Sequence, residues 1–433
     1  MFRTILCSII ISFSIFAQEK TSLTIEQAIE VGLKNSKTLQ NSSMKVLAAD
    51  AKVSEANAAL LPSIKLNATY TRLSEVPPFA INIMGNIVNI SPSILNNYLV
   101  KGTIQQPLFA GFKISSGKEM AEYSAEATKQ EYHKDEKELI YNIKNAYWTL
   151  YKIRELKKVV DENVEQMKTH VKDAQNLFTQ GIITNNEVLK VQIQFSEAEL
   201  RQVDMNNNLV IATAALNNVI GIPLETSTEL TSTIQYTPKT FSSLSELINN
   251  AITKREDFAA MQARVKASEA NVTFAQSGWY PQIFLVGNYN YANPNQRIVP
   301  AEGKFKGTWD VSVVLSYDLW NWGTTSHQTT QAEAQRSQAE NTLMQMKDGI
   351  TLEVTQNYFT FQQTEQKIKI SEQSLQQSQE HYRITNERYK NGLSSTSDLL
   401  DASVMLLQTK INYTQTLIDY ELAKSRLEKS TGE

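Results

Sequence analysis

The same short pattern occurs twice in the sequence, 211 residues apart, and this repetition limits the possible fold more than any other feature. Residues 178–191 read FTQGIITNNEVLKV, and residues 389–402 read YKNGLSSTSDLLDA. In both, an aromatic residue stands three positions before a glycine, Gly181 or Gly392, and a hydroxyl residue, an acid and an apolar pair follow. One chain therefore encodes the same turn in two places.

Other matched residues extend the duplication over most of the chain. The pairs at an offset of 211 include Glu187 with Asp398, Leu216 with Leu427 and Gly221 with Gly432. The pairs at an offset of 219 include Ala48 with Ala267, Val53 with Val272 and Pro62 with Pro281. A unit of about two hundred residues is too long for a solenoid repeat. We therefore expect a duplicated domain, with structural repeats at 18–221 and 244–433 and an equatorial linker at 222–243.

The N-terminal segment, MFRTILCSIIISFSIFAQEK, has the composition of a secretory signal peptide. It contains Arg3, an apolar run and the small residue Ala17, after which a polar sequence begins, and this order predicts a signal peptide at residues 1–17. The only cysteine, Cys7, lies within it. We therefore expect the exported chain to contain no disulfide. The formal net charge of −3 offers no basic surface for a nucleic acid.

Each repeat contains two stretches in which apolar and polar residues alternate, as in half-buried strands. The predicted strands are at about 63–72, 98–109, 282–291 and 308–320. Alternation alone fits a soluble sandwich as well as a membrane sheet. However, a length of about ten residues is typical of a tilted membrane strand, and aromatic residues near the strand ends are typical of an interfacial girdle. These aromatic residues are Tyr70, Tyr291, Trp309, Trp320 and Trp322. Four strands are too few to close a barrel, so we expect several chains to share one.

Proline marks the change from helix to strand, and long helices follow the strands. Pro62 and Pro281 end helical stretches immediately before the first strand of each repeat. After the second strand come two proline-free stretches, 113–178 and 325–389, each of which predicts a helix of about 100 Å. In the second stretch, a seven-residue spacing indicates a packed seam with coiled-coil character. The residues of that seam are Val354, Phe361, Ile368, Leu375, Tyr382 and Tyr389.

The two repeated patterns connect these long helices to shorter returning helices. Gly181 and Gly392 follow the long helices as C-terminal caps. The expected capping boxes of the returning helices are Thr184 with Glu187 and Ser395 with Asp398. The sequence therefore predicts two helical hairpins, with tips at 179–186 and 390–397.

The duplication, the order of helices and strands, and the two tips resemble those of the TolC-type outer-membrane efflux proteins. The most specific local match is DLLDA at residues 398–402, which looks like the paired aspartates of that family. The resemblance covers essentially the whole chain after the signal peptide. It implies a mixed α and β fold, in which long antiparallel helical hairpins form a trimeric helical barrel. That helical barrel would be joined to a twelve-stranded transmembrane β-barrel, with four strands from each chain.

The resemblance also implies roles for the residues of the tips. The periplasmic gate would consist of Asp398, Asp401, Tyr389 and Glu187. The tip turns and the adaptor docking surface would consist of Gly181, Gly392, Leu393, Ser394 and Ser395. The best-known member of the family has an arginine at the position of Ser394, so an ion pair of that kind is not expected here. We expect the packing and hydrogen bonding of Tyr389 to hold the closed tip instead.

The implied function is that of the outer-membrane channel in a tripartite efflux or type I secretion system. A homotrimer in the outer membrane of a Gram-negative bacterium would extend into the periplasm and form a duct for passive exit of substrates. Its implied partners are a periplasmic adaptor (membrane fusion) protein, an inner-membrane transporter and outer-membrane lipid. A secreted coiled-coil structural or adhesin-like protein without a transport role is the alternative, and the lipid-type alternation of the strands weighs against it.

Catalytic and metal sites are not expected. The four histidines are scattered through the chain without metal-ligand spacing; they are His133, His170, His327 and His381. The sequence has no glycine-rich phosphate loop. We predict that each histidine is a solvated helix residue, that the protein uses no cofactor or metal, and that it is not an enzyme.

Overall fold

A computed structural model of the protein describes residues 21–76, 79–91, 94–232 and 236–432. The predicted signal peptide, 1–17, lies outside the described residues. The chain divides into two compact units. The helical unit comprises residues up to 42, 132–256 and 347–433, and the sheet unit comprises 43–131 and 257–346. Each unit thus contains segments from both halves of the sequence.

Helices account for most of the described residues. The α-helices are α1 (Ile25–Asn35), α2 (Lys37–Ala58), α3 (Lys113–Thr179), α4 (Asn185–Ile220), α5 (Leu244–Lys254), α6 (Glu256–Gln276), α7 (Thr324–Lys390) and α8 (Thr396–Ser430). The two longest, α3 and α7, have 67 residues each, and the sequence predicts them at 113–178 and 325–389. Among the described helices, none combines the length and the hydropathy that a membrane-spanning helix requires.

The main sheet has four antiparallel strands. The strands of the described residues are β1 (Thr21–Leu23), β2 (Ser63–Arg72), β3 (Phe79–Ile83), β4 (Asn86–Ser91), β5 (Asn96–Ala110), β6 (Thr228–Leu230), β7 (Gln282–Asn293) and β8 (Lys306–Ser316). In the main sheet the order is β2-β5-β7-β8, while β3 pairs with β4 and β1 pairs in parallel with β6. The four strands that the sequence predicts are those of the main sheet.

The expectation of only four strands in the chain is wrong, because the segment between β2 and β5, for which no strand was predicted, contains the hairpin β3–β4. Its strands, FAINI and NIVNIS, consist mainly of apolar residues interrupted by asparagine. They are joined at Met84 and Gly85, which both have positive φ. A two-residue turn of this kind matches the twist of a hairpin. The strands β1 and β6, of three residues each, were also not predicted.

The last strand is shorter than predicted. The alternation extends to Trp320, but β8 ends at Ser316. Its last residue pairs with Gln282, the first residue of β7. Residues 317–320 extend past the start of β7 and have no residue of that strand to pair with. Alternation within one strand does not show where its partner strand begins.

The core of the helical unit forms around α3. Ile143, Tyr147 and Leu150 of α3 pack with Leu216 and Ile220 of α4. Toward the end of α3 the seam continues through Leu156, Val160, Val164, Met167, Ala174 and Leu177, all buried. On α7 the predicted seven-residue seam is confirmed: its members are buried at Val354, Phe361, Ile368 and Tyr389 and half-buried at Leu375 and Tyr382. The two long helices therefore end at packed tips.

Candidate functional site

Both tips begin with the same backbone motif. Gly181 has φ +74° and Gly392 has φ +67°, the left-handed conformation that favours glycine. The N–H of Ile182 donates to the carbonyl of Leu177 at 2.9 Å, and the N–H of Leu393 donates to that of Arg388 at 2.8 Å. These bonds close Schellman motifs, which satisfy the last carbonyls of α3 and α7. The exposed Leu393 lies directly after the second cap.

One of the two predicted capping boxes is present in the structure. Ser395 Oγ accepts from the backbone N–H of Asp398 at 3.1 Å, and Asp398 Oδ2 accepts from the backbone N–H of Ser395 at 3.0 Å. Ser394 Oγ also donates to Asp398 Oδ2 at 3.1 Å. The hydrogen bonds from Ser395 and Ser394 lower the pKa of the Asp398 carboxyl, with a smaller contribution from the charge of Arg388. The start of α8 is therefore fixed by local polar contacts.

The predicted capping box at the first tip is wrong. Thr184 is the N-cap of α4, but its side chain makes no capping hydrogen bond. Glu187 instead pairs with Lys190 at 2.8 Å, and the hydrogen bond from Lys190 lowers the pKa of that carboxyl. Lys190, one turn further along α4, therefore binds the Glu187 carboxylate that the capping box would have required. The two tips share a backbone shape but differ in how their acids are used.

Tyr389 lies between the two hairpins, where its side chain is only 1% exposed. It packs in one cluster with Leu177 of α3 and Leu399 of α8. The packing expected for Tyr389 is therefore present, but the expected hydrogen bond is absent, because its hydroxyl has no hydrogen-bond partner among the described residues. Burial raises the pKa of the Tyr389 hydroxyl; the Thr396 hydroxyl opposes part of that rise, although the two hydroxyls do not meet the geometry of a hydrogen bond.

Thr396 is a tip residue that was not identified from the sequence. It is the first residue of α8 and is 2% exposed, and its hydroxyl also lacks a hydrogen-bond partner in the described part of the chain. The sequence predicts that Thr396 belongs to the turn, because the neighbouring Ser395 is the expected N-cap of the returning helix. Its burial depends on packing against the other hairpin, which local spacing does not show. A groove of about 610 Å³ between the turns is lined by Thr396, Glu187 and Asp398, among others.

The two aspartates of DLLDA are both exposed on α8. Asp398 and Asp401 are three residues apart, which places them on one helix face. The residue that corresponds to Asp401 in the first half is Lys190, which neutralises Glu187. The second tip thus presents two carboxylates where the first presents an ion pair.

The other predicted site residues lie beside the main sheet. Pro62 directly precedes β2, and Pro281 directly precedes β7. Both stand between the end of a helix and the start of a strand, where the missing N–H and fixed φ of proline are tolerated.

The register of the main sheet gives it one predominantly apolar face that extends across all four strands. One row of paired residues across the sheet is Ile64, Ile104, Gly287 and Val311, and the next row in the same direction is Lys65, Thr103, Asn288 and Asp310. Leu66 and Val313, on the apolar face, are 76% and 65% exposed in the single chain. On the other face, Thr103 donates to Asn288 at 3.0 Å and Asn288 donates to Asp310 at 2.8 Å.

The histidines do not form a metal site. Within the described residues there is no group of three or more His, Cys, Asp or Glu side chains that could hold a metal ion. His133, His327 and His381 are exposed on helices as predicted, but the prediction for His170 is wrong, because it is 2% exposed. His170 follows Met167 by three residues and precedes Ala174 by four, so it occupies a seam position of α3. That spacing is the signal by which its burial could have been predicted.

Comparison with known proteins agrees with this arrangement of helices and strands. The family model "Outer membrane efflux protein" matches residues 28–222 and 247–433. Outer membrane protein TolC of Vibrio cholerae serotype O1 is 23% identical over 285 residues, which cover 65% of this chain and 61% of that protein. The chain thus spans less than two thirds of the length of this curated relative.

Solved structures show the same fold. The outer membrane protein VceC of Vibrio cholerae superposes with a TM-score of 0.80 at 18% identity, covering 94% of this chain and 96% of that one. The CmeC outer membrane channel of Campylobacter jejuni gives a TM-score of 0.79 at 16% identity, covering 94% and 85%. The matched family, which is not one of enzymes, confirms the predicted resemblance and the prediction that the protein is not an enzyme. Since the family model matches most of its length, the chain belongs to the outer membrane efflux protein family.

Proposed function

We propose that the protein is the outer-membrane channel of a tripartite efflux or type I secretion system. Three chains would form a duct across the outer membrane and the periplasm, through which substrates delivered by an inner-membrane transporter leave passively. Family membership supports a channel, and the relatives are named outer membrane proteins. The observation that carries the proposal is the single apolar face shared by the four strands of the main sheet.

The main sheet has the properties of one part of a membrane barrel. Its outer strands, β2 and β8, each have one strand neighbour in the sheet. In a bilayer, the open edge of a sheet leaves backbone N–H and C=O groups without hydrogen-bond partners. Closing the sheet into a barrel pairs these groups. Because the sheet has an even number of alternating strands, β8 of one chain can pair antiparallel with β2 of the next. Three chains would give twelve strands, with the apolar face toward lipid and the polar face toward the lumen.

The helical unit also has a surface that fits a second copy. Helix α4 carries an exposed apolar stripe with steps of three, four or seven residues, the spacing of a coiled-coil seam. The residues of the stripe are Leu189, Ile193, Leu200, Val203 and Val210. Helix α7 exposes Leu352, Phe359 and Ile370. Contact between α4 of one chain and α7 of its neighbour would cover both sets of residues.

The tips are proposed as the periplasmic gate and the adaptor docking surface. Around a threefold axis, Asp398 and Asp401 would bring six carboxylates together, whereas Lys190 neutralises Glu187 within each first tip. A ring of carboxylates favours cations. Leu393 and the turn that contains it are exposed and would contact the adaptor protein. The capped turns at Gly181 and Gly392 would hold this surface in shape.

The duplication is also part of the proposal. We propose that residues 18–221 and 244–433 are two structural repeats joined by the linker 222–243. In its favour, the two main-sheet strands of each half are followed by a helix of 67 residues, a glycine-capped turn and a returning helix of 36 or 35 residues.

Single-channel recording in planar bilayers tests the proposed function. The wild-type protein, extracted in detergent, should conduct ions with cation selectivity and should be blocked by multivalent cations from the tip side. Asp398→Asn with Asp401→Asn should leave the oligomer intact but weaken selectivity and block. The matched control is Glu199→Gln with Asp204→Asn, which removes two exposed acids from α4. Absence of conductance, or a protein that is soluble in buffer without detergent, would favour the coiled-coil structural alternative.

A further inference from the structure

A network of buried and half-buried polar side chains joins three helices near the tips. Nε2 of His170 on α3 lies 3.0 Å from the hydroxyl of Tyr382 on α7. Gln166, one turn earlier on α3, donates to Ser403 Oγ on α8 at 3.2 Å and also interacts with the Tyr382 hydroxyl. The first hairpin (α3 and α4) is thereby connected to the second hairpin (α7 and α8) through polar contacts as well as through the apolar cluster at Tyr389.

His170 is placed where a positive charge is costly. Its side chain is 2% exposed, and Nδ1 has no hydrogen-bond partner in the described part of the chain. A protonated imidazole carries a hydrogen on both nitrogens. Proton uptake would therefore leave a charged N–H donor buried at Nδ1 without an acceptor. Water can reach that nitrogen only if the helices around it move apart.

The charges that face His170 do not cancel this cost. Burial lowers the pKa of His170 to about 4; Asp173 on α3 opposes the change, and Lys390 on α7 adds to it. Tyr382, also on α7, cannot supply a compensating charge, because burial raises its pKa to about 12. From α8 the network receives the Ser403 hydroxyl, which is neutral. The packed arrangement therefore favours the uncharged imidazole.

We propose that the contact between His170 and Tyr382 makes the tips acid-sensitive, so that proton uptake by His170 separates α7 from α3 and loosens the second hairpin. We also expect the gate to open at low pH, and this consequence for conduction rests on the proposed function. The loosening of the second hairpin does not depend on the proposed function.

The direction of the pH dependence follows from linkage between proton binding and packing. The pKa of His170 in the packed tip is below the ordinary imidazole value, so the loosened tip binds protons more tightly. The packed tip is fully favoured above an ordinary pKa of about 6.5 and loses stability as the pH falls toward about 4. Within that range the ratio of loosened to packed tips should rise by up to about tenfold per pH unit in each chain.

Hydrogen–deuterium exchange on the intact oligomer tests the loosening. Exchange of peptides that cover 385–400 is followed from pH 7 to pH 4.5 and corrected for the intrinsic pH dependence of amide exchange. We expect the corrected exchange to rise in the wild type and to stay flat in His170→Gln. The control is His381→Gln, which changes an exposed histidine at the matching position of the second half and should behave like the wild type. His170→Leu serves as a second variant without a titrating group if the glutamine variant does not fold.

Two results would overturn the proposal. One is a flat exchange profile in the wild type. The other is an acid-dependent rise that persists in both His170 variants, which would assign the effect to the carboxylates. Resting conductance in planar bilayers should show the same pH dependence as the exchange. If exchange at the tip rises at low pH while conductance stays constant, the link between His170 and the gate is overturned. A protein that does not conduct at any pH contradicts the proposed channel function, while the exchange profile still decides the role of His170.

Discussion

Tyr389 stabilises the contact between the hairpins through its ring and not through its hydroxyl. The ring is buried against Leu177 and Leu399, while the hydroxyl is buried without a partner. An unpartnered buried hydroxyl carries a desolvation cost that phenylalanine would not have. We therefore expect Tyr389→Phe to change the free energy of local opening at the tip by less than about 0.5 kcal/mol, or to stabilise it slightly.

The matched comparison is Tyr389→Ala, which removes the ring. It should destabilise the tip by about 3–5 kcal/mol, the range for deleting a buried aromatic side chain. Native-state hydrogen exchange of the tip amides at pH 7 measures both effects. If the phenylalanine variant loses as much protection as the alanine variant, the hydroxyl makes a bond that the packed structure does not show.

The residues that could be predicted from sequence are those whose role depends on local spacing. The capping box of Ser395 and Asp398 and the burial of Tyr389 follow from offsets of three and seven residues. Thr184 shows the limit, because Lys190 competes for the carboxylate that its capping box requires. Thr396 was not identified because the contacts that bury it come from the other hairpin, whereas the burial of His170 was indicated by its seam spacing on α3 and was missed.

At the scale of elements, the two returning helices differ in how they begin. Ser395 caps α8 with a side-chain hydrogen bond, whereas Thr184 caps α4 without one. Ser395→Ala should therefore cost about 1 kcal/mol of stability in the first turn of α8. Thr184→Ala should cost clearly less in the first turn of α4. Exchange protection of the two first turns provides the measurement, and equal losses would contradict the difference in capping.

The two faces of β8 should respond in opposite ways to a charge. Val313 lies on the apolar face and Ser312 on the polar face. Near the bilayer midplane, Val313→Arg should cost about 2–4 kcal/mol and reduce the yield of assembled oligomer. Val313→Leu should be mild, and Ser312→Arg should assemble. The heat-modifiable oligomer recovered from outer membranes, resolved by gel electrophoresis, is the readout. Normal assembly of Val313→Arg together with failure of Ser312→Arg would mean that the faces are reversed.

The ends of helices were easier to predict than the ends of strands. A proline or a glycine stands near the boundaries of the long helices, and these residues act through their own backbone. The end of β8 depends instead on where β7 begins, since Ser316 has Gln282 as its partner. The hairpin β3–β4 lies in a segment for which the sequence predicts no strand, and its turn at Met84 and Gly85 lacks the usual Asn-Gly signature.

At the scale of the whole molecule, the sequence predicts that several chains share one barrel but does not give their number. Alternation, a strand length of about ten residues and aromatic residues near the strand ends favour a sheet that further strands complete. The number three comes only from the resemblance to the family. Measuring the oligomeric state is therefore the most informative test of assembly.

The exposed stripe on α4 allows assembly to be tested separately from folding. Leu200 and Val203 are 67% and 64% exposed in the single chain, so charges there should not disturb the hairpin itself. If a second copy covers the stripe, Leu200→Asp with Val203→Asp would bury two unpaired charges at the interface. Native mass spectrometry in detergent should then show three chains for the wild type and predominantly single chains for the variant, with helix content by circular dichroism unchanged. The control, Leu200→Met with Val203→Ile, keeps the stripe apolar and should remain trimeric. A double aspartate variant that stays trimeric would show that α4 faces solvent in the assembly and that another surface joins the chains.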